Sequence, residues 1–353
     1  MTSLMPWALV ASCAFALGLL AVPPVRRLAW RLGLVDRPRD GAHKSHGRPV
    51  PYGGGVAIWL GTVLPVAAAI AVAWAGVGGE EGRCVTALLL CATLLLLLGL
   101  ADDWRPLSPL PRFAAQLLVS VGLLTACPQL RLQILGGSSA SVPATALWMV
   151  AVTNAFNFLD NMDGLAAGIA AIALLLLGTL GAQLGDSALL LVSLSLFGAV
   201  SAFLVYNFPP ATIFMGDAGG FFIGFVISGL SVLVSNRVDE VHDSLLRGLA
   251  PLLILAVPIY DQVGVTLIRV RSGVPPWVGD RNHISHRLVE LGLSRRGAVL
   301  VIHAATLATG TAALIIASAP ASLAWGLSLL LVAAAAAVAC LDAAARRRQH
   351  VPA

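Results

Sequence analysis

Long apolar runs separated by short polar breaks make up most of this chain. A membrane-spanning helix needs about 20 predominantly apolar residues. Runs of that order fall near 5–22, 54–76, 84–101, 113–128, 144–159, 164–182, 187–206, 219–235, 248–268, 299–317 and 321–341, which predicts eleven spans. The fifth is short and runs directly into polar residues. The breaks leave no room for a second folded unit, so residues 1–353 are expected to form one all-α polytopic membrane domain. Two breaks carry patterns of their own. Residues 26–52 are basic and end in Pro49-Val50-Pro51-Tyr52, followed by Gly53-Gly54-Gly55. Leu130-Arg131-Leu132-Gln133-Ile134 alternates in polarity ahead of Gly136-Gly137, which predicts a short strand or hairpin on the outer face.

Composition agrees with this pattern. The 353 residues are 58% hydrophobic and 11% charged, with a mean hydropathy of +0.89, whereas soluble domains carry about 25% charged residues. No basic stretch precedes the first apolar run, and Arg26, Arg27 and Arg31 follow it, so a retained span is expected there instead of a cleaved leader. Of the 22 basic residues, 18 lie after spans 1, 3 and 9 or in the C-terminal tail. Arg83, Arg131, Arg237 and Arg247 fall on the other side, beside Glu80, Glu81, Asp239, Glu240 and Asp243. The positive-inside rule then puts the N-terminus outside and the C-terminus in the cytoplasm, which an odd number of spans satisfies. The net charge of +5 belongs to this topology and implies no nucleic-acid partner. Cys13, Cys84, Cys91, Cys127 and Cys340 lack CxxC spacing and read as small apolar residues, not as a redox or zinc set.

With eleven spans counted, four polar clusters fall on the cytoplasmic side. Carboxylates are costly beside lipid, so their convergence on one face points to a shared site. Carboxylates held together need a cation, and oxygen-only clusters favour Mg²⁺. Asp102-Asp103 closes span 3, where the helix dipole opposes negative charge; a solvated helix end and a base or metal-facing pair both remain open. In the stretch from Asn154 to Gly164, spacings of three and four put Asn154, Asn157 and Asn161 near one helical face, with Asp160 and Asp163 alongside. A lipid-facing surface cannot hold five such groups, and a ligand site fits better than a purely structural network. Between Asn207 and Asp217, Pro209 and Pro210 break the helix, and Gly216, Gly219 and Gly220 would let helix-start amides approach a phosphate. His283 and His286, like His43 and His46, have no HExxH motif or cysteine partner for zinc. Donors to a diphosphate explain them, and the neighbouring arginines, better. Lys44 is the only lysine, which singles out a compact ammonium at that position.

In order along the chain, Lys44-x-His46, Asp102-Asp103, Asn157 to Gly164, Phe214-Met215-Gly216-Asp217 and the His283 loop resemble the motifs of the polyprenyl-phosphate N-acetylhexosamine-1-phosphate transferases. That family includes UDP-GlcNAc:undecaprenyl-phosphate GlcNAc-1-phosphate transferases and phospho-N-acetylmuramoyl-pentapeptide transferases. The resemblance covers almost the whole chain. It implies transfer of a sugar 1-phosphate, GlcNAc 1-phosphate above all, from a UDP-N-acetylhexosamine to undecaprenyl or another polyprenyl phosphate. The reaction would take place at the cytoplasmic face of the plasma (inner) membrane, release UMP and begin cell-envelope polysaccharide synthesis. It further implies that Asn157 and Asp217 hold Mg²⁺, or Mn²⁺, against the diphosphate. Asp102, Asp103, Lys44 and His283 would be catalytic, with one of the two aspartates taking the acceptor's proton. Asn154, Asp160, Asp163, Asn207, His286, Arg112 and His46 would contact substrate, Asp163 at the uridine end. A homodimer is compatible with this reading.

Two departures stand out. The last motif reads His283-Ile284-Ser285-His286 where the family usually has His-x-His-His, and Asn161 stands where glycine is common. The absence of three consecutive histidines favours the simpler hexosamine branch over muramoyl-pentapeptide transfer. A transporter, the rival from another class, would place its ionisable groups near the bilayer midplane between repeated halves; here they gather at span ends and no repeat is evident.

Overall fold

The computed structural model of the protein describes residues 5–37, 48–72, 76–136, 138–242, 250–278, 280–320 and 322–329. Its helices are α1 (Met5–Leu32), α2 (Gly54–Ala71), α3 (Gly79–Trp104), α4 (Pro109–Ala126), α5 (Ser141–Leu159), α6 (Leu165–Leu184), α7 (Ser187–Asn207), α8 (Gly216–His242), α9 (Ala250–Ile254), α10 (Ala256–Arg271), α11 (Ile284–Glu290) and α12 (Arg295–Ser318). Nine of them among the described residues, α1 to α8 and α12, are long and apolar enough to cross a membrane. The chain is a multi-pass membrane protein. The expected ninth span exists in two pieces, broken at Leu255. Pro258 has no N–H to give to the carbonyl of Ile254, so the hydrogen-bond ladder cannot run through this point. Of the eleventh span, residues 322–329 are helical and the rest lies outside the described residues.

α8 is the axis of the bundle. Across its span, 94% of residues are buried, against 17% for α1, and Phe221, Phe222 and Phe225 have almost no exposed surface. α8 packs on α3 and α5, while α1, α2 and α7 form a second layer. In lipid no hydrophobic force drives helices together, so close approach of small residues does that work. Gly198 of α7 lies on the backbone of Ala11 and Phe15, and Gly61 of α2 lies on Ala199 and Gly18.

Two local expectations change. Residues 26–32 continue α1 as helix, and Val35–Asp36 pairs antiparallel with Val50–Pro51. A small strand pair thus forms at the site end of the bundle. At the opposite end, the segment expected to make a hairpin folds as two 3₁₀ turns, Pro128–Leu130 and Gln133–Leu135. The reason is Asn236 near the end of α8. Its amide donates to the carbonyls of Gln129 (3.0 Å) and Arg131 (2.8 Å) and accepts from the N–H of Gln133 (3.0 Å). The N–H of Leu132 goes to Thr145 Oγ1 (2.9 Å). These side chains occupy the backbone groups that a second strand would have paired.

Asn236→Ala therefore leaves three partly buried backbone groups without their side-chain partner, where a fully buried group would cost about 1–3 kcal/mol when unmet. Thermal unfolding in detergent should show a loss of several degrees, and an unchanged midpoint would mean water replaces the amide without cost.

Candidate functional site

The site forms where the C-terminal ends of α3 and α5 meet the N-terminal end of α8. Its first contact joins the acid pair to α8. Asp103 accepts hydrogen bonds from the backbone N–H groups of Asp217 (2.8 Å) and Ala218 (3.3 Å). A carboxylate at a helix start satisfies orphan N–H groups and suits the helix dipole. Gly216 makes this possible: its φ is 73°, and a Cβ there would collide with the Asp103 carboxylate. Two of the helix-start amides, those of Asp217 and Ala218, are thus taken by Asp103 and not left for a phosphate. A Cβ on Gly55 or Gly99 would likewise strike the backbone of Gly219 or Ala218, so α2 and α3 press directly on the first turn of α8.

Asp102 faces the other way and is buried. One oxygen accepts the N–H of Leu107 (2.6 Å) and the other binds the Arg112 guanidinium (2.5 Å). The same Arg112 nitrogen lies 3.4 Å from Asp217 Oδ2. A single cation therefore sits between two carboxylates brought from α3 and α8. Asp217 Oδ1 accepts from Asn157 Nδ2 of α5 (2.7 Å), and the Asp217 side chain remains 33% exposed, within reach of a ligand. One turn deeper, Asn154 donates to Gln116 Oε1 (2.6 Å), whose own Nε2 is buried with no partner.

The loops around this cluster are tied together by side chains. Asn207 is buried and commits both ends of its amide to backbone, accepting from Gly164 N–H (2.9 Å) and donating to Ile213 O (3.0 Å). It clamps two loops. Asp163 accepts the N–H of Ala211 (2.9 Å). The backbone of Pro51, Gly54 and Gly55 bonds to Phe214 and Met215, which fixes the segment leading into α8. Burial, with Asp36 and Asp103 nearby, pushes the Tyr52 phenol far up, and its hydroxyl bonds to Asp36.

The last loop docks on the segment after α5. Ser285 Oγ donates to Asn161 Oδ1 (2.6 Å), so the two departures from the family pattern are partners of each other. Arg269, buried in α10, lies 5.5 Å over the Phe158 ring and binds Asp280 (2.8 Å) and the Pro276 carbonyl (2.6 Å). Burial opposes ionisation of Asp280, yet hydrogen bonds from Arg269 and Asn282 outweigh it and hold its carboxyl below the usual range. His283 bonds through Nδ1 to Asp261 (2.7 Å), and His286 lies beside it, with ring centroids 6.5 Å apart. Burial first, then His283 and Arg281, push His286 down, which favours the neutral ring. Lys44, His43 and His46 lie outside the described residues.

A model of glycosyl transferase family 4 matches residues 85–235, a range that includes Asp102, Asp103, Asn157 and Asp217. The chain is 36% identical over 318 residues to the "Probable undecaprenyl-phosphate N-acetylglucosaminyl 1-phosphate transferase" of Bacillus subtilis, covering 87% of this chain and 85% of that protein. The chain belongs to glycosyl transferase family 4. It is also 32% identical over 320 residues to the decaprenyl-phosphate N-acetylglucosaminephosphotransferase of Mycobacterium tuberculosis, with 84% of this chain and 79% of that one covered. Against the undecaprenyl-phosphate alpha-N-acetylglucosaminyl 1-phosphate transferase of Escherichia coli K12 the identity is 28% over 292 residues, covering 78% and 75%.

A family 4 member that binds a hard divalent ion needs oxygen donors, and this cluster offers them. Among the described residues no three His, Cys, Asp or Glu side chains converge closely enough to cage a metal unaided. That suits Mg²⁺, which keeps several waters and binds through one or two carboxylates plus substrate phosphates. Asp217 and Asn157 fit that arrangement. Asp160 is a further candidate, because it is half-buried and has no hydrogen-bond donor among the described residues.

Burial, with Asp217 and Asp163 adding repulsion, pushes the Asp160 carboxyl from 3.8 up to about 7. A folded-state pKa above the unfolded one means the folded protein holds this proton more tightly. Ionisation therefore subtracts stability progressively between pH 4 and pH 7, and by a constant amount above. Asp160→Asn removes that loss, so its advantage in thermal midpoint over the wild type should be small near pH 5 and level off above pH 7. A pH-independent difference would contradict the assignment.

Proposed function

We propose that this family 4 protein transfers N-acetylglucosamine 1-phosphate from UDP-GlcNAc to undecaprenyl or a similar polyprenyl phosphate at the cytoplasmic membrane face, releasing UMP. The observation that carries it is the cluster at one end of a membrane bundle in which Arg112 lies between Asp102 and Asp217, Asn157 donates to Asp217 and Asp103 caps the helix that carries Asp217. The names of its relatives supply the acceptor and the sugar. The excess of basic residues on the site end supports the cytoplasmic placement.

In this reaction an oxygen of the lipid phosphate attacks the β-phosphorus of the nucleotide sugar. The bond from that phosphorus to the bridging oxygen breaks, and UMP leaves with the electron pair. Joining two anionic groups leaves the protein mainly positioning and charge stabilisation to supply. Asp217 and Asn157 are the residues that would hold Mg²⁺ or Mn²⁺, and such an ion, when bound, draws charge from the diphosphate oxygens. Arg112, fixed by Asp102, adds a second positive charge beside the reacting phosphates. Asp103 holds Asp217 in place through the first turn of α8. One carboxylate of the acid pair receives the proton of a monoprotonated acceptor. Asp160 and Asp163 lie toward the uridine end, while His283, His286 and the Lys44-x-His46 loop donate to phosphate and sugar oxygens. A displacement between bound reactants also explains why the site lies at a span boundary, since one substrate is a lipid and the other is water-soluble.

The test is a transfer assay with purified protein, sugar-labelled UDP-GlcNAc, undecaprenyl phosphate and Mg²⁺. Labelled lipid and UMP should form in equal amounts, a chelator should stop the reaction, and added Mg²⁺ should restore it. Asp217→Ala should lower the rate at least about a hundred-fold, as loss of a preorganised charge-stabilising group does, without loss of fold. No labelled lipid from the wild type would refute the reading, and chelator-insensitive turnover would remove the metal from it.

A further inference from the structure

Asp261 is a charged residue in the apolar run of α10, with no exposed surface. A carboxylate at such a position persists only when its charge and lone pairs are occupied. Both oxygens are: Oδ2 lies 2.7 Å from His283 Nδ1 and Oδ1 accepts the N–H of Ile284 at 2.7 Å. His283 is itself buried, and its Nε2 has no hydrogen-bond partner among the described residues. On the far side of the same short helix, Ser285 anchors to Asn161, four residues after Asn157.

We infer that Asp261 is a positioning residue that fixes the tautomer and ring plane of His283, leaving Nε2 as the one nitrogen facing the diphosphate, to which it donates only when the ring is protonated. The inference rests on the transferase reading above. A carboxylate can only accept, so Nδ1 must carry its proton in either charge state of the ring. The second bond, to Ile284 N–H, locks the carboxylate in rotation as well as distance. Asp261 thus touches no substrate and acts through His283, as outer partners of ligating histidines do.

Asp261→Asn separates this role from simple packing, because it keeps the volume. Its amide oxygen must still accept from Ile284, so its NH₂ faces Nδ1 and moves the ring proton of the neutral form to Nε2. We expect kcat to fall about ten- to a hundred-fold, the usual cost of losing such an outer partner, with the KM for UDP-GlcNAc nearly unchanged. In a His283→Ala background the same substitution should cost nothing further. ¹⁵N shifts of labelled histidine, with His283 assigned by its loss in His283→Ala, should show Nδ1–H in the wild type and Nε2–H in Asp261→Asn. An equal fall in kcat in both backgrounds, or an unchanged tautomer, would overturn the inference. If the wild type makes no labelled lipid, the transferase reading fails while the nitrogen shifts still decide the role of Asp261.

Discussion

The contact on which the site depends is the one between the Asp103 carboxylate and the first N–H groups of α8. It places a negative group against the positive end of the most buried helix in the bundle, a pairing the helix dipole favours. It also fixes distance and rotation between α3 and α8, because Gly216 leaves no space for any side chain between them. Once those two helices are set, Asp102 and Asp217 come to either side of Arg112 and Asn157 closes the group from α5.

Charge near lipid explains why these residues are so fully engaged. Uncompensated carboxylates at a membrane boundary are expensive, and the cluster answers this in graded fashion. Asp102 is buried and bonded by Leu107 and Arg112, Asp103 is bonded by the backbone of α8, and Asp217 keeps part of its surface open. Asp160 has no donor among the described residues. The groups least satisfied by protein are the ones with most to gain from a ligand, which is what the proposed cation and diphosphate would supply.

Much of this was legible in the residue order. Apolar run length located most of the nine long helices to within about five residues, because in a bilayer every backbone group must be satisfied inside its own helix. However, α1 runs ten residues and α8 seven residues past the expected ends. The candidate site residues were legible for the same reason, since Asp and Asn at span ends are too costly to be incidental. Partners were not legible. Nothing in the acid pair says that Asp103 caps a helix more than a hundred residues later, and that contact takes two amides of the expected phosphate cradle. Asn207 looked like a ligand contact, and its amide clamps two loops. The alternation around Leu132 looked like a strand until Asn236 was seen to hold its backbone. Two signals were present and could have been used. Pro258 marks the break in the ninth span, and Asp261 is a lone carboxylate within an apolar run. The pairing of Ser285 with Asn161 required coordinates, because each residue taken alone is only a departure from a pattern.

The most direct measurement is Mn²⁺ binding followed by electron paramagnetic resonance, with purified protein and UDP-GlcNAc present. If the ends of α3, α5 and α8 build one ion site, the wild type should bind a single Mn²⁺. Asp217→Asn, Asn157→Ala and Asp103→Ala should each weaken it, the last by shifting Asp217 without being a ligand itself. Undiminished Mn²⁺ affinity in folded Asp217→Asn and Asp103→Ala protein would contradict the account.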